Sequence, residues 1–67
     1  MNLEKLREKR KAKGITQEDM ALAMGYRNKS SYSMLENGQV KFDADKMKIA
    51  KNRLELSNNE FFEIFLS

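Results

Sequence analysis

The stretch from Gly14 to Gly38, GITQEDMALAMGYRNKSSYSMLENG, constrains the fold of this 67-residue chain more than any other. Its pattern predicts two short helices joined by a tight turn. The first begins at the cap residue Thr16 and ends at Gly25, and the second begins near Asn28 and ends at Gly38. Two helices of this size cannot bury their own apolar faces. We therefore expect the rest of the chain to close a core around them.

The remaining sequence predicts further helices and no strand. Glycine occurs only at positions 14, 25 and 38, each where an apolar helical pattern ends, and proline is absent. The capping box Ser57–Glu60, with Leu56 and Phe61 placed as a hydrophobic staple, marks the start of a last helix. We expect an all-α fold, a single domain over residues 1–67. Its five predicted helices span about 2–13, 16–24, 29–37, 44–54 and 58–66.

The inventory of side chains limits the chemistry that the chain can perform. It has no cysteine and no histidine, so it lacks thiolate and imidazole metal ligands and the commonest general base. It also lacks a glycine-rich phosphate loop. We expect neither an enzyme nor a bound metal or cofactor. The charged start MNLEKLREKR is unlike a signal peptide, and no apolar run is long enough to cross a membrane, which favours a cytoplasmic protein.

The net charge of +3 is unevenly distributed. Residues 1–13 and residues 27–54 each carry +4, whereas residues 14–26 carry −2 and residues 55–67 carry −3. One interpretation is a protein with a basic face and an acidic or apolar face, as nucleic-acid-binding proteins have. The other is a solvated surface of mixed sign.

The last helix carries more large apolar groups than one short helix can hide. In FFEIFLS, Phe61, Ile64 and Phe65 share one face, and Phe62 and Leu66 lie on another. The excess indicates either a filled core or an interface with another chain. We expect a homodimer contact through this end.

Three parts of the sequence together resemble a known family. These are LREKRKAKGITQ, the A-x-x-M-G ending of the second helix, and S-x-x-x-LENG. They are similar to the helix-turn-helix of the Cro and CI repressors of temperate bacteriophages, a family with many bacterial regulators, from Leu3 to about Leu54. The resemblance implies a compact bundle of four or five helices, a lambda-repressor-like DNA-binding domain whose third helix enters the major groove.

The resemblance also implies which residues contact double-stranded DNA. Lys29 and Ser30 would read base edges from the start of the third helix, with Ser33 and Met34 one turn further along. Gln17 would contact a phosphate. The full implied set is Gln17, Arg27, Asn28, Lys29, Ser30, Ser33, Met34, Asn37 and Lys41.

One basic residue lies on an apolar stripe of the first helix. Arg10 shares a face with Leu3 and Leu6. The position of Arg10 alone indicates either a snorkelling arginine, whose stem packs while its charged head reaches water, or one half of an internal ion pair. The resemblance implies the ion pair, with Glu36 of the third helix as the partner. One segment, KNRLELS, departs from the family, which usually has a glycine before the last apolar residue there.

The sequence thus predicts a small sequence-specific transcriptional regulator, Cro-like because no second domain is seen, from a phage or prophage switch. The alternative is an antirepressor, a protein-interaction modulator that binds a phage repressor and masks its DNA-binding surface. Leu22, which lies off the inward stripe of the second helix, and the apolar last helix would then form the contact surface. Antitoxins and restriction-control proteins share the DNA-binding chemistry and are not separated from the first prediction.

Overall fold

All the regular secondary structure of the protein is helical, as the all-α prediction stated. A computed structural model describes residues 1–67 and contains no strand. The helices are α1 (Leu3–Ala12), α2 (Gln17–Ala23), α3 (Lys29–Glu36), α4 (Ala44–Arg53) and α5 (Asn58–Phe61), and α5 continues into a π-helical turn, the π segment (Phe62–Leu66). None of these helices has the length and apolar character needed to span a bilayer.

A polar side chain caps the start of every α-helix. The capping residues are Asn2, Thr16, Asn28, Asp43 and Ser57, each accepting a hydrogen bond from a backbone N–H two or three residues ahead. Thr16 and Ser57 form complete capping boxes with Asp19 and Glu60. These caps satisfy donors that a helix leaves unpaired at its N-terminus, so each helix begins where its cap stands.

Four helices are each followed by a residue with positive φ, but after α4 this residue is not the expected glycine. Gly14, Gly25 and Gly38 follow α1, α2 and α3 with φ between 70° and 81°. After α4 the left-handed position is held by Glu55, at φ 52°, and the next N–H, of Leu56, donates to Lys51 O at 3.0 Å. This is the place where the KNRLELS segment departs from the family pattern. α4 therefore ends in the same left-handed geometry as the other helices, although the Cβ of Glu55 is sterically crowded in that conformation.

Replacing Glu55 by glycine is expected to stabilise the protein by about 0.5–1 kcal/mol, because glycine adopts positive φ without crowding. For a chain of this size the melting temperature should rise by about 2–8 °C. Glu55 also lies 3.5 Å from Lys13, but this exposed pair contributes little. Glu55→Ala removes the same charge and keeps the Cβ, so it is the control. Thermal unfolding in which both variants shift equally would rule out the backbone explanation.

The core is formed by thirteen buried apolar residues drawn from α1 to α4, the π segment and the connections between helices. The small Ala21 is fully buried in α2, which packs more extensively on α3 than on any other helix. Phe42 lies in the connection between α3 and α4, yet it is buried, and its ring meets Phe65 edge-on with centroids 5.0 Å apart. The α3–α4 connection is therefore anchored in the core rather than lying loosely on the surface.

The C-terminal helical turns are attached to α1. The Asn2 N–H donates to Ile64 O, 2.6 Å away, and two ion pairs join Lys5 to Glu63 and Lys9 to Glu60. The hydrogen bond from Lys9, with those from Ser57, lowers the pKa of Glu60 to about 2 from its ordinary 4.5. The C-terminal turns thus contact α1 from its N-cap, Asn2, to its last turn at Lys9.

The protein is expected to lose stability in acid. The pKa of Glu60 is depressed to about 2, and the pKa of Asp19 is lowered by its hydrogen bonds with Thr16. A carboxylate whose pKa is lower in the folded state than in the unfolded state stabilises the protein at pH values above its unfolded-state pKa. This stabilisation is lost as the pH falls through the folded-state pKa. The free energy of unfolding should therefore fall between about pH 4.5 and pH 2, measured by urea titration at each pH. Glu60→Gln should flatten part of this fall, whereas identical pH profiles would contradict the role given to Glu60.

Candidate nucleic-acid interface

The inner face of α3 fixes the orientation of the helix. Tyr32, Leu35 and Glu36 are fully buried or nearly so, and they pack towards α1 and α2. Because these residues recur at helical spacing, the opposite side of α3 must face outward. That outward side carries the residues predicted to read DNA.

We call this outward side the outer ridge of α3, formed by Lys29, Ser30, Ser33, Met34 and Asn37. Four of them are exposed, Met34 at 38% of its surface, and Ser33 is half-buried. The Asn37 amide donates to Ser33 Oγ at 3.3 Å, so these two polar groups already contact each other along the ridge. The ridge is open along its length and carries no acidic side chain.

The internal ion pair implied by the family resemblance is present in the structure. Arg10 donates from Nε to Glu36 Oε2 at 2.9 Å and from Nη2 to Oε1 at 3.0 Å, a two-point contact. Its third nitrogen, Nη1, donates to the carbonyl of Ile15, 2.9 Å away. The buried guanidinium of Arg10 therefore joins α1 to α3 and to Ile15, just before α2. These contacts fix the position of the helix-turn-helix relative to α1.

Glu36 is 0% exposed, yet its surroundings favour the charged carboxylate. Burial favours its neutral form, but the hydrogen bonds and charge of Arg10 outweigh burial, and the pKa of Glu36 is lowered from its ordinary value. Arg7, on the same face of α1 as Arg10, lies 3.3 Å from Glu36 and adds a second cation. Burial, together with the nearby Glu36 carboxylate, raises the pKa of the neighbouring Tyr32. The carboxylate is therefore matched by more than one positive charge.

Gln17, predicted to contact a phosphate, lies beside this ion pair. It is half-buried, and its amide nitrogen is 3.5 Å from Glu36 Oε1. It also lines a groove between the end of α1 and the start of α2, whose charged lining residues are Arg10, Lys11, Glu18 and Lys29. Three cations and one acid thus line the groove that holds Gln17, which leaves a positive balance for an anionic ligand.

The flanks of α3 carry the remaining predicted residues. Arg27, Asn28 and Lys41 are all exposed. The Asn28 side-chain oxygen accepts the Ser30 N–H at 3.1 Å, so its amide nitrogen remains available as a donor. Cations therefore precede and follow the outer ridge along the chain.

The basic side chains divide into two groups according to their partners. In α1 and its C-cap, Lys5, Arg7, Lys9, Arg10 and Lys13 each pair with a glutamate of the same chain. The seven basic residues between positions 27 and 53 have no carboxylate within 4 Å. Apart from Lys11, which is also without a carboxylate within 4 Å, the unpaired basic side chains therefore lie on α3, its flanks and α4.

The three predicted interface residues are well exposed. Leu22 on α2 is 65% exposed, and Phe62 and Leu66 of the π segment are 56% and 57% exposed. Phe62 and Leu66 lie at the end of the molecule formed by the last helix, as their helical positions predict, and Leu22 lies on a separate helix. The three residues are therefore exposed on two different elements, α2 and the π segment.

Arg7 is a residue of the ion-pair network that sequence reasoning missed. The signal was its position three residues before Arg10, which places both side chains on one face of α1. Arg7 was hidden because positions 1–13 carry six basic residues, and spacing alone does not say which of them face a buried acid.

A family model described as Helix-turn-helix matches residues 6–57, most of the chain, and covers α1 to α4 with the ion pair and the outer ridge. No curated protein and no solved structure matches the chain. The matched range agrees with the segments LREKRKAKGITQ and S-x-x-x-LENG and with the geometry that they adopt. The chain belongs to the helix-turn-helix family of the Cro/CI type, a family of DNA-binding regulators.

Proposed function

We propose that this protein is a small sequence-specific transcriptional regulator of a phage or prophage switch, acting like Cro with α3 in the major groove. The observation that carries the proposal is the outer ridge of α3, open and flanked by unpaired cations on a helix held by the Arg10–Glu36 ion pair. A rigid helix that presents polar side chains and no acid suits the floor of a major groove.

Base contacts are assigned to the first two turns of α3. The ammonium of Lys29 can donate to the O6 and N7 acceptors of guanine, and Met34 can pack against a thymine methyl group. Ser30 and Ser33 supply adaptable hydrogen bonds that favour no single base. We therefore expect moderate sequence selectivity, set mainly by Lys29 and Met34.

Phosphate contacts are assigned to the flanks. Arg27 and Lys41 are exposed cations on either side of α3, and Asn28 and Asn37 offer amide donors at its two ends. Gln17 would release its long contact with Glu36 to reach a phosphate across the groove. Such phosphate contacts would set the affinity and the register of the protein on DNA, while the outer ridge would select the base sequence.

The test is a gel shift with a duplex taken from around the gene of this protein, set beside an unrelated duplex of equal length. Specific sites typically bind about 10³–10⁷ times more tightly than random DNA. A discrete shift with only the first duplex supports the proposal. Equal binding to both duplexes, or binding to neither, contradicts it.

We also propose that two copies associate through the π segment. Phe62 and Leu66 of the π segment each expose more than half of their surface. Two half-sites on successive turns of DNA place recognition helices ~34 Å apart. A dimer at this end would give each half-site one outer ridge.

Phe62→Asp is expected to lower the dimer fraction, because a carboxylate would be buried without a partner at the contact. Sedimentation velocity over a concentration series measures the effect. Val40→Asp, which adds the same charge at an exposed apolar residue of the α3–α4 connection, should sediment like the parent. A Phe62→Asp variant that also sediments like the parent would remove the dimer from the proposal.

The second candidate is the antirepressor, and one observation favours it. Leu22 is the most exposed large apolar residue of the chain, on α2 and apart from the π segment. In this case the protein would bind a phage repressor through α2 and mask its DNA-binding surface. A pull-down with the repressor encoded nearby, together with the gel shift, separates the two candidates. Capture that Leu22→Asp abolishes, without any specific DNA shift, favours the antirepressor.

A further inference from the structure

Lys46, in the first turn of α4, is ordered by a different kind of contact from Lys5 and Lys9 of α1, which pair with glutamates. Its ammonium lies over the ring of Tyr26, 5.2 Å from the centroid, within the range of a cation–π contact. Asp43 and Asp45 are close in sequence, but neither carboxylate is within 4 Å of this ammonium. Lys46 is thus ordered by an aromatic face rather than by an acid.

Both partners of this contact are fixed by the fold. Tyr26 is half-buried against the core, and its N–H donates to Ala21 O at 2.9 Å. The backbone N–H of Lys46 donates to the Asp43 cap at 2.8 Å. The contact therefore joins α4 to the turn between α2 and α3, three residues before α3 begins.

The two ways of ordering a lysine have different consequences for an anionic ligand. Lys5 and Lys9 are neutralised by their glutamates, and a phosphate would have to displace those acids. An aromatic ring orients an ammonium but carries no charge, so the full positive charge of Lys46 remains available. Since its side chain is already half-buried, it also has less rotamer freedom to lose on binding.

We infer that Lys46 contacts a phosphate of the DNA backbone at the N-terminal end of α3, and that Tyr26 is the positioning residue that holds its ammonium there. This inference rests on the proposed function, because it places the contact beside a helix lying in the major groove. Arg27 and Lys29, both exposed, bracket the same end of α3. Lys46 thus extends the phosphate-binding surface from α3 onto α4.

The test measures binding by fluorescence anisotropy over a series of salt concentrations, with the duplex from around the gene and an unrelated duplex. Losing one phosphate contact should reduce the slope of log K against log salt by about 0.9 and weaken binding roughly eightfold at 0.1 M salt. Lys46→Gln should show this change with both duplexes and leave the ratio of their affinities unaltered. Lys48→Gln, which removes an exposed lysine two residues away, is the matched control and should keep the parent slope.

The role of Tyr26 is tested in the same assay. Tyr26→Phe keeps the ring and should bind like the parent, whereas Tyr26→Leu should weaken binding in the same direction as Lys46→Gln. In a Lys46→Gln background, Tyr26→Leu should add little, since the ammonium that it positions is gone. Circular dichroism and melting temperatures establish whether each variant is folded. If Tyr26→Leu does not fold, Lys46→Gln alone still tests the phosphate contact.

Each result has a distinct meaning. An unchanged slope for Lys46→Gln, or an equal loss for Lys48→Gln, overturns the assignment of Lys46 while leaving the proposed function in place. A full additional loss from Tyr26→Leu in the Lys46→Gln background overturns the positioning role. A parent protein that binds neither duplex overturns both the proposed function and this inference.

Discussion

Arg10→Met is expected to lower the free energy of unfolding by about 3–5 kcal/mol, because it leaves the charge of Glu36 buried without its main partner. Glu36 is completely buried, and Arg10 supplies its two short hydrogen bonds. Arg7, at 3.3 Å and partly exposed, can replace only a fraction of this interaction. Small domains are stable by about 0.05–0.15 kcal/mol per residue, so the loss consumes roughly a third to all of the stability of a 67-residue chain.

Urea unfolding followed by circular dichroism measures this effect. The double variant Arg10→Met/Glu36→Leu removes both charges and should recover much of the stability, since apolar replacements of buried ion pairs are often neutral. Arg7→Gln is the control for loss of a cation from α1, and it should cost far less. A single Arg10→Met variant within 1 kcal/mol of the parent would contradict the account of the ion pair.

Lys29→Ala is expected to weaken specific DNA binding by about 1–3 kcal/mol, the usual contribution of a good base contact. Lys29 is exposed at the start of the outer ridge and has no carboxylate within 4 Å, so its charge is free for DNA. Because it is also a cation, the salt dependence of binding should become flatter. Unlike Lys46→Gln, it should reduce the preference for the specific duplex over an unrelated one.

Anisotropy titrations at several salt concentrations, with both duplexes, measure affinity and preference together. Met34→Ala is the uncharged comparison on the same ridge: it should reduce preference and leave the salt slope unchanged. Affinity and preference that stay at parent values for Lys29→Ala at every salt concentration would remove Lys29 from the base-reading role.

Much of the fold was predictable because its signals are local. Caps such as Thr16 and Ser57, and glycines placed after apolar patterns, mark helix ends through hydrogen bonds that span only a few residues. The outward side of α3 follows from helical periodicity once Tyr32 and Leu35 are assigned to the core. The pairing of Arg10 with Glu36, twenty-six residues apart, came from the family resemblance and not from periodicity.

What sequence reasoning missed depends on contacts between distant segments. Phe42 lies next to polar residues and its burial is decided by Phe65, twenty-three positions away. The contact of Lys46 with Tyr26 joins two elements whose relative placement no local pattern encodes. The last helix was expected to run to residue 66 as one helix, but after Phe61 it widens into a π turn that places Ile64 and Phe65 in the core.

The central claim is that the outer ridge of α3 is the surface on which DNA docks. Backbone amide shifts of the ¹⁵N-labelled protein, recorded as the duplex from around its gene is added, test this claim most directly. We predict that the largest changes fall between residues 27 and 41 and near Gln17, while the π segment changes little beyond any effect of dimer formation. Changes confined to the surface around Leu22 or to the last helix, with residues 29–37 unaffected at saturation, would contradict it.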